Sequence, residues 1–176
     1  GGRAPLKDCM DRSRPADMRV CATRSQAFVG ILEAVVGRET FCSALQELGS
    51  RFGGGMLPFE EFMGAFESEY GRDLDWLVYE WVDRGDLPTY VLTYDAVPRG
   101  KGYVVRGTIA QRGEVFRTPV PLTVDLGVWS YDEWVSIRAP QQAFEFETEF
   151  EPQLITLDAA HIVLRIEADE LARVHF

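Results

Sequence analysis

Apolar positions change their period once along this chain, within the stretch Phe59 to Pro88. Ahead of Pro88 they recur every three or four residues; beyond it they alternate. From Thr23 to Val36, Phe28, Ile31, Leu32 and Val35 fall at i, i+3, i+4 and i+7. That is one face of a helix, and Gly37 is placed to cap its C-terminus. Residues 38–52 repeat the pattern with Phe41, Leu45, Leu48 and Phe52, before Gly53-Gly54-Gly55 interrupts it. Pro58 suits the start of a third helix, where a missing N–H costs nothing. Glu60 and Glu61 favour the positive end of its dipole. Its stripe is Phe59, Phe62, Met63, Phe66 and Tyr70, and Gly71 ends it. Asp73 is an N-cap for a fourth helix with Leu74, Leu77, Val78 and Trp81 on one face. Burying side chains of this size contributes roughly 1.5–3 kcal/mol each, so these helices must pack on one another or on something larger.

After Pro88 the period is two. Tyr90, Leu92 and Tyr94 alternate with Val91, Thr93 and Asp95; Val120, Leu122, Val124 and Leu126 with Pro121, Thr123 and Asp125. Phe144, Phe146 and Phe150 alternate with Glu145, Glu147, Glu149 and Glu151, and Ile162, Leu164 and Ile166 with Val163, Arg165 and Glu167. Less regular strands lie at 102–112, 134–138 and 154–158. Seven short strands with one apolar face each predict an antiparallel sandwich of the immunoglobulin or fibronectin-III kind. The fold class is therefore α+β: a helical subdomain at 22–87, then a sandwich at 88–176. Residues 1–21, broken by Pro5 and Pro15, read as a loosely ordered leader.

Charge narrows the function. The formal net charge is -10, which argues against nucleic acid, whose phosphates need a basic surface. The first 24 residues run the other way, with Arg3, Lys7, Arg12, Arg14, Arg19 and Arg24 against three Asp. No run approaches the ~20 apolar residues of a membrane span. The three cysteines, Cys9, Cys21 and Cys42, have no C-x-x-C spacing and indicate neither a disulfide framework nor a zinc site. Cys42 falls on an apolar helix stripe and reads as core, while a Cys9–Cys21 bond stays open.

Candidate chemistry is sparse. The two histidines, His161 and His175, have no second histidine at ligand spacing, so no catalytic metal is expected. There is no G-x-S-x-G, and Ser43 and Ser50 lie on a helix with no sequence signal for a partner. The glycine triplet follows a helix and lacks the Lys-Ser/Thr of a phosphate loop. Carboxylate pairs such as Glu60/Glu61, Glu67/Glu69 and Asp73/Asp75 fall on solvent-facing positions, where no raised pKa would suit them to acid catalysis. The aromatics Trp129, Tyr131 and Trp134, in the turn region VWSYDEW, either bind a sugar or partner or close the end of the core.

Several pieces in order resemble the region after the active site in the aminopeptidase N-like zinc peptidases, the gluzincins. They are the helix AFVGILEAVVG, Glu39-Thr40-Phe41, Phe59-Glu60-Glu61-Phe62, Gly71-Arg72-Asp73-Leu74, Trp81 and Gly85-Asp86-Leu87-Pro88. Pro119-Val120-Pro121-Leu122 resembles the central strand of that family's fibronectin-like sandwich, and PQLITLD from Pro152 its closing strand. The resemblance covers roughly residues 22–167. The family's H-E-x-x-H, its distal glutamate and its G-x-M-E-N motif are absent here. Its proton-donating tyrosine opens the first matched helix in a Y-x-K-G motif; counted back from Gly37, Ala22 stands at the tyrosine, Arg24 at the lysine and Ser25 at the glycine.

The resemblance implies a non-catalytic scaffold or interaction module, without cofactor of its own. Zinc is expected only with an upstream catalytic domain. The expected partner is that peptidase-like domain or a second protein chain, and it implies an exposed apolar patch, or one covered by that partner, around Phe28, Ile31 or Phe41. Two alternatives remain: a fragment of an active zinc aminopeptidase, and a carbohydrate- or peptide-binding sandwich using Trp129, Tyr131 and Trp134.

Overall fold

A computed structural model describes residues 5–10, 18–159 and 163. The chain divides into two compact units, Gly1–Asp86 and Leu87–Phe176. The first is helical: α1 (Leu6–Met10), α2 (Met18–Val36), α3 (Arg38–Phe52), α4 (Phe59–Tyr70) and α5 (Asp75–Val78), the last running into a π-helical segment at Tyr79–Asp83. The second holds six strands among the described residues: β1 (Thr89–Arg99), β2 (Gly102–Arg112), β3 (Thr118–Asp125), β4 (Ser130–Ile137), β5 (Gln141–Thr148) and β6 (Leu154–Leu157).

The helix ends follow the glycines. Gly37 is at φ +86° and donates its N–H to the Glu33 carbonyl at 2.8 Å; Gly71, at φ +69°, does the same to Glu67. The core of the helical unit is aromatic. Phe41 packs on Phe66 with ring centroids 5.2 Å apart, Phe62 on Phe66 at 4.8 Å and Phe28 on Phe59 at 6.1 Å. Polar contacts frame the α3–α4 pair: the Ser43 hydroxyl donates to Glu69 at 2.8 Å, and Arg51 bridges Glu47 at 3.0 Å and Glu61 at 2.7 Å.

Four sequence expectations need correction here. Of the leader, residues 5–10 and 18–21 are described and carry helix, because α1 is bonded to α2 through a Cys9–Cys21 disulfide. Cys42 is exposed, not core, and Leu45 is exposed too. The inward face of α3 runs through Phe41, Ala44 and Leu48, one position off the expected stripe. The exposed patch expected around Phe28, Ile31 and Phe41 is not found, since these side chains are 4%, 0% and 9% exposed. The fourth helix is also irregular. Asp73 Oδ1 takes the Asp75 N–H at 2.8 Å, and the wider turn at Tyr79–Asp83 buries three consecutive residues, Glu80, Trp81 and Val82.

In the second unit the strands form two antiparallel three-stranded sheets, in the orders β1-β2-β5 and β4-β3-β6. The inner positions are Tyr90, Leu92, Ile109 and Val105 in one sheet, and Val120, Leu122, Val124, Ile155 and Leu157 in the other, all buried. The Ile155 N–H donates to the Tyr94 hydroxyl at 3.1 Å, joining β6 to β1 across the two sheets. β3 is central in its sheet despite Pro119 and Pro121. β6 pairs only with Leu122–Asp125, so no ladder hydrogen bond is required of either proline on that side. At Gly107 a side chain has no room: a Cβ would meet the Phe144 ring and the Thr93 carbonyl oxygen. The Phe144 and Phe146 rings, stacked 5.9 Å apart, are half-buried, while Glu145 and Glu147 face outward and pair with Arg106 at 2.6 Å and Arg99 at 3.3 Å. The strand expected at Ile162, Leu164 and Ile166 lies outside the described residues, as do His161 and His175. Val163 is buried, and its N–H donates to Asp158 at 3.0 Å.

Candidate functional site

The three aromatics singled out by sequence do not form one surface. Only Trp129 lies in the β3–β4 turn; Tyr131 and Trp134 belong to β4. Trp129 and Tyr131 are brought together, with ring centroids 5.2 Å apart. Tyr131 pairs in register with inward-facing Val124, whereas Trp134 pairs with Pro121 on the opposite face of the sheet. Strand alternation therefore separates Trp134 from the other two. Trp129 and Trp134 are 52% and 46% exposed, and Val128 at the turn is more exposed still. Burial raises the Tyr131 phenol above its ordinary pKa, with the negative charge of Glu133 adding to it.

The most constrained polar group is one that sequence reasoning left aside. Arg24 lies on the buried face of α2, 5% exposed. It donates from Nη2 to the Gly85 carbonyl at 2.7 Å, with a longer contact from Nη1 to the Arg84 carbonyl at 3.5 Å. Burial lowers its pKa from the usual guanidinium value, and the nearby Asp86 works against that. Asp86 is gripped by Arg84, whose Nε donates to Oδ1 at 2.9 Å while Nη2 reaches Oδ2. That hydrogen bonding, with smaller help from the charges of Arg84 and Arg24, holds the Asp86 carboxyl below its usual pKa despite opposing desolvation. Together these groups fasten the segment that follows the π turn to α2. The stripe Ala27, Phe28, Ile31, extended one turn back, lands on Arg24, and a cation on an apolar face was the available sign.

One acidic cluster is also present. Glu67, Asp73 and Asp75 bring carboxylate oxygens within 4.8 Å of one another. Two of them already serve the backbone, since Glu67 Oε1 accepts the Leu74 N–H at 2.8 Å and Asp73 Oδ1 that of Asp75. They order the α4–α5 turn.

No protein-family model matches the sequence, and no curated protein matches it. Solved structures do match the fold. The crystal structure of Legionella pneumophila aminopeptidase A in complex with aspartic acid aligns with 87% of this chain, at a TM-score of 0.66 and 18% identity. The alignment takes in 18% of that longer protein, so this chain corresponds to a minor part of its length. At that identity the likeness is one of fold: an α+β chain, helices followed by two antiparallel sheets, similar to part of an aminopeptidase.

Proposed function

We propose that the chain is a non-catalytic scaffold or interaction module, equivalent to the C-terminal half of an aminopeptidase N-like protein whose lineage has lost catalysis. The observation that carries this is the alignment of most of the chain onto a short part of Legionella aminopeptidase A. Its place after a peptidase core follows from the motif order described above. Ala22 stands where the resemblance puts the proton-donating tyrosine, and Arg24, where it puts the motif lysine, is turned inward onto the Gly85 carbonyl. A buried anchor is a structural use of that position.

In this reading residues 22–87 form the helical subdomain and 88–176 one immunoglobulin- or fibronectin-III-like sandwich. The strand orders support it: β3 leaves the first sheet and β5 returns to pair with β2, a Greek-key connection. Residues 162–166 would add the seventh strand beside β6. The natural partner is an upstream peptidase-like domain or a second protein chain, and any zinc would belong to that upstream part. The glycan-binding alternative loses its three-residue platform, because Trp134 and Tyr131 face opposite sides of their sheet.

The intact parent protein tests the reading. Zinc content by elemental analysis and hydrolysis of aminoacyl 4-nitroanilides are measured together. The expected result is no chelator-sensitive hydrolysis. Stoichiometric zinc with chelator-sensitive turnover would replace this reading with that of an active aminopeptidase.

A further inference from the structure

We propose that the Cys9–Cys21 disulfide is a thiol-controlled latch that holds α1 against the π segment. Three observations converge on it. First, α1 has only five residues, Leu6–Met10. Helices that short do not persist in water by themselves, so its form depends on what it is tied to. Second, it is tied at two places of different strength. Cys9 is bonded to Cys21 on α2, and Lys7 Nζ lies 3.4 Å from Asp83 Oδ1 at the end of the π segment. Both members of that ion pair are about half exposed, 53% and 42%, so the pair contributes little. Leu6 adds one buried side chain. Third, both cysteines are only half-buried, which leaves the bond open to attack.

The segment under α1 matters to the rest of the unit. α1 packs on both α2 and the π segment, and the π segment leads directly into the Arg84–Asp86 stretch that Arg24 holds. Releasing α1 therefore loosens one side of the unit while the α3–α4 core, built on Phe41, Phe62 and Phe66, stays closed.

The switching step is thiol–disulfide exchange with a dithiol. A thiolate of the dithiol attacks one sulfur of the pair, the S–S bond breaks, and a mixed disulfide forms. The second thiol of the reductant then closes its own ring. Two electrons pass to Cys9 and Cys21, which each end with a proton, and the dithiol leaves as a disulfide. Cross-links that close loops of this size favour the tethered form by roughly 100-fold in the chain-entropy account, which sets the scale of the switch.

Dithiothreitol acting on the folded chain, without denaturant, is the test. Alkylation and mass mapping separate reduction of the pair from reaction at exposed Cys42. Amide exchange is followed in residues 6–10 and 79–86, with α3 and α4 as internal reference. The expected result is reduction under native conditions, an increase of roughly 10- to 100-fold in exchange of the first two segments, no change in α3 and α4, and reversal on reoxidation. A bond that resists dithiothreitol until denaturant is added overturns the proposal. So does reduction without any change in exchange. Unfolding of the whole helical unit on reduction overturns it as well, because the bond is then a staple. The double variant Cys9→Ser, Cys21→Ser should reproduce the reduced pattern, and native reduction of the wild type decides the matter if that variant does not fold.

Discussion

Replacing Arg24 by methionine removes a buried guanidinium while keeping most of the apolar stem. The structure sets two opposing effects. The 2.7 Å hydrogen bond to the Gly85 carbonyl is lost; a bond from a charged donor contributes about 1.5–3 kcal/mol. The contact to Arg84 at 3.5 Å is too long to add much. Against this, methionine escapes the cost of burying a charge, the same cost that lowers the Arg24 pKa. Gly85 is only half-buried, so water can reach its orphaned carbonyl and soften the loss. The net expectation is a destabilisation of about 1–2 kcal/mol, from the lower half of the hydrogen-bond range. For a unit of this size that is a fall in melting temperature of roughly 4–16 °C. Arg24→Ala, which also loses stem packing, should cost more, and Arg24→Lys, with a point charge in place of the fork, should lie nearer to wild type. Urea unfolding followed by amide exchange in the helical unit measures the series, with the 79–86 amides exchanging first. If Arg24→Met proves as stable as wild type or more so, the desolvation cost outweighs the hydrogen bond. Arg24 is then not the anchor of this segment.

Three further outcomes are expected. Gly107→Ala should destabilise the strand unit by about 1–3 kcal/mol or prevent its folding, because the new Cβ meets a backbone carbonyl as well as the Phe144 ring; a companion Phe144→Ala that fails to recover any of the loss would show that the Thr93 carbonyl alone decides it. The Asp86 carboxyl binds its proton less tightly folded than unfolded, so its contribution is present above its unfolded pKa of about 3.9 and is lost as pH falls through the lower folded value. Exchange of the 84–86 amides should rise in that acid range in the wild type but not in Asp86→Asn. The Tyr131 phenol is shifted the other way: its neutral form is favoured in the fold, so its contribution is complete below the unfolded pKa of about 10 and lost as pH rises through the folded value. Phenolate absorbance should show one late-titrating tyrosine that disappears in Tyr131→Phe.

Element type was legible from period alone in most of the chain. Phe28, Ile31, Leu32 and the glycines at 37 and 71 placed the helices, because a 3.6-residue stripe and a left-handed cap are local properties. Alternation placed six strands for the same reason. What escaped was set by contacts distant in sequence. α1 has no periodic signature, since five residues are too few to show one and its support is the bond to Cys21. Trp134 read as a neighbour of Trp129 and Tyr131 because the β4 boundary was expected four residues late; one slip of a strand start turns a surface aromatic into a loop aromatic. Arg24 escaped because its partners are carbonyls some sixty residues away, and carbonyls carry no side-chain signature. Phe28, Ile31 and Phe41 read as the face of a missing neighbour because sequence does not say which helices close over a stripe. Here Phe59 and Phe66 take part.

The π turn at Tyr79–Asp83 has a consequence for how this segment tolerates change in length. A turn of this kind amounts to one residue more than a regular helix holds. Each residue advances a helix by about 100°, so deleting one position there would restore α geometry but swing everything after it around the helix axis by that angle. Trp81 and Val82 could not then both stay inside, and the Gly85 carbonyl would turn away from Arg24. Chains descended from a common ancestor should therefore vary in length freely at the glycine triplet, whose three residues are exposed, and resist even a single insertion or deletion between Tyr79 and Gly85.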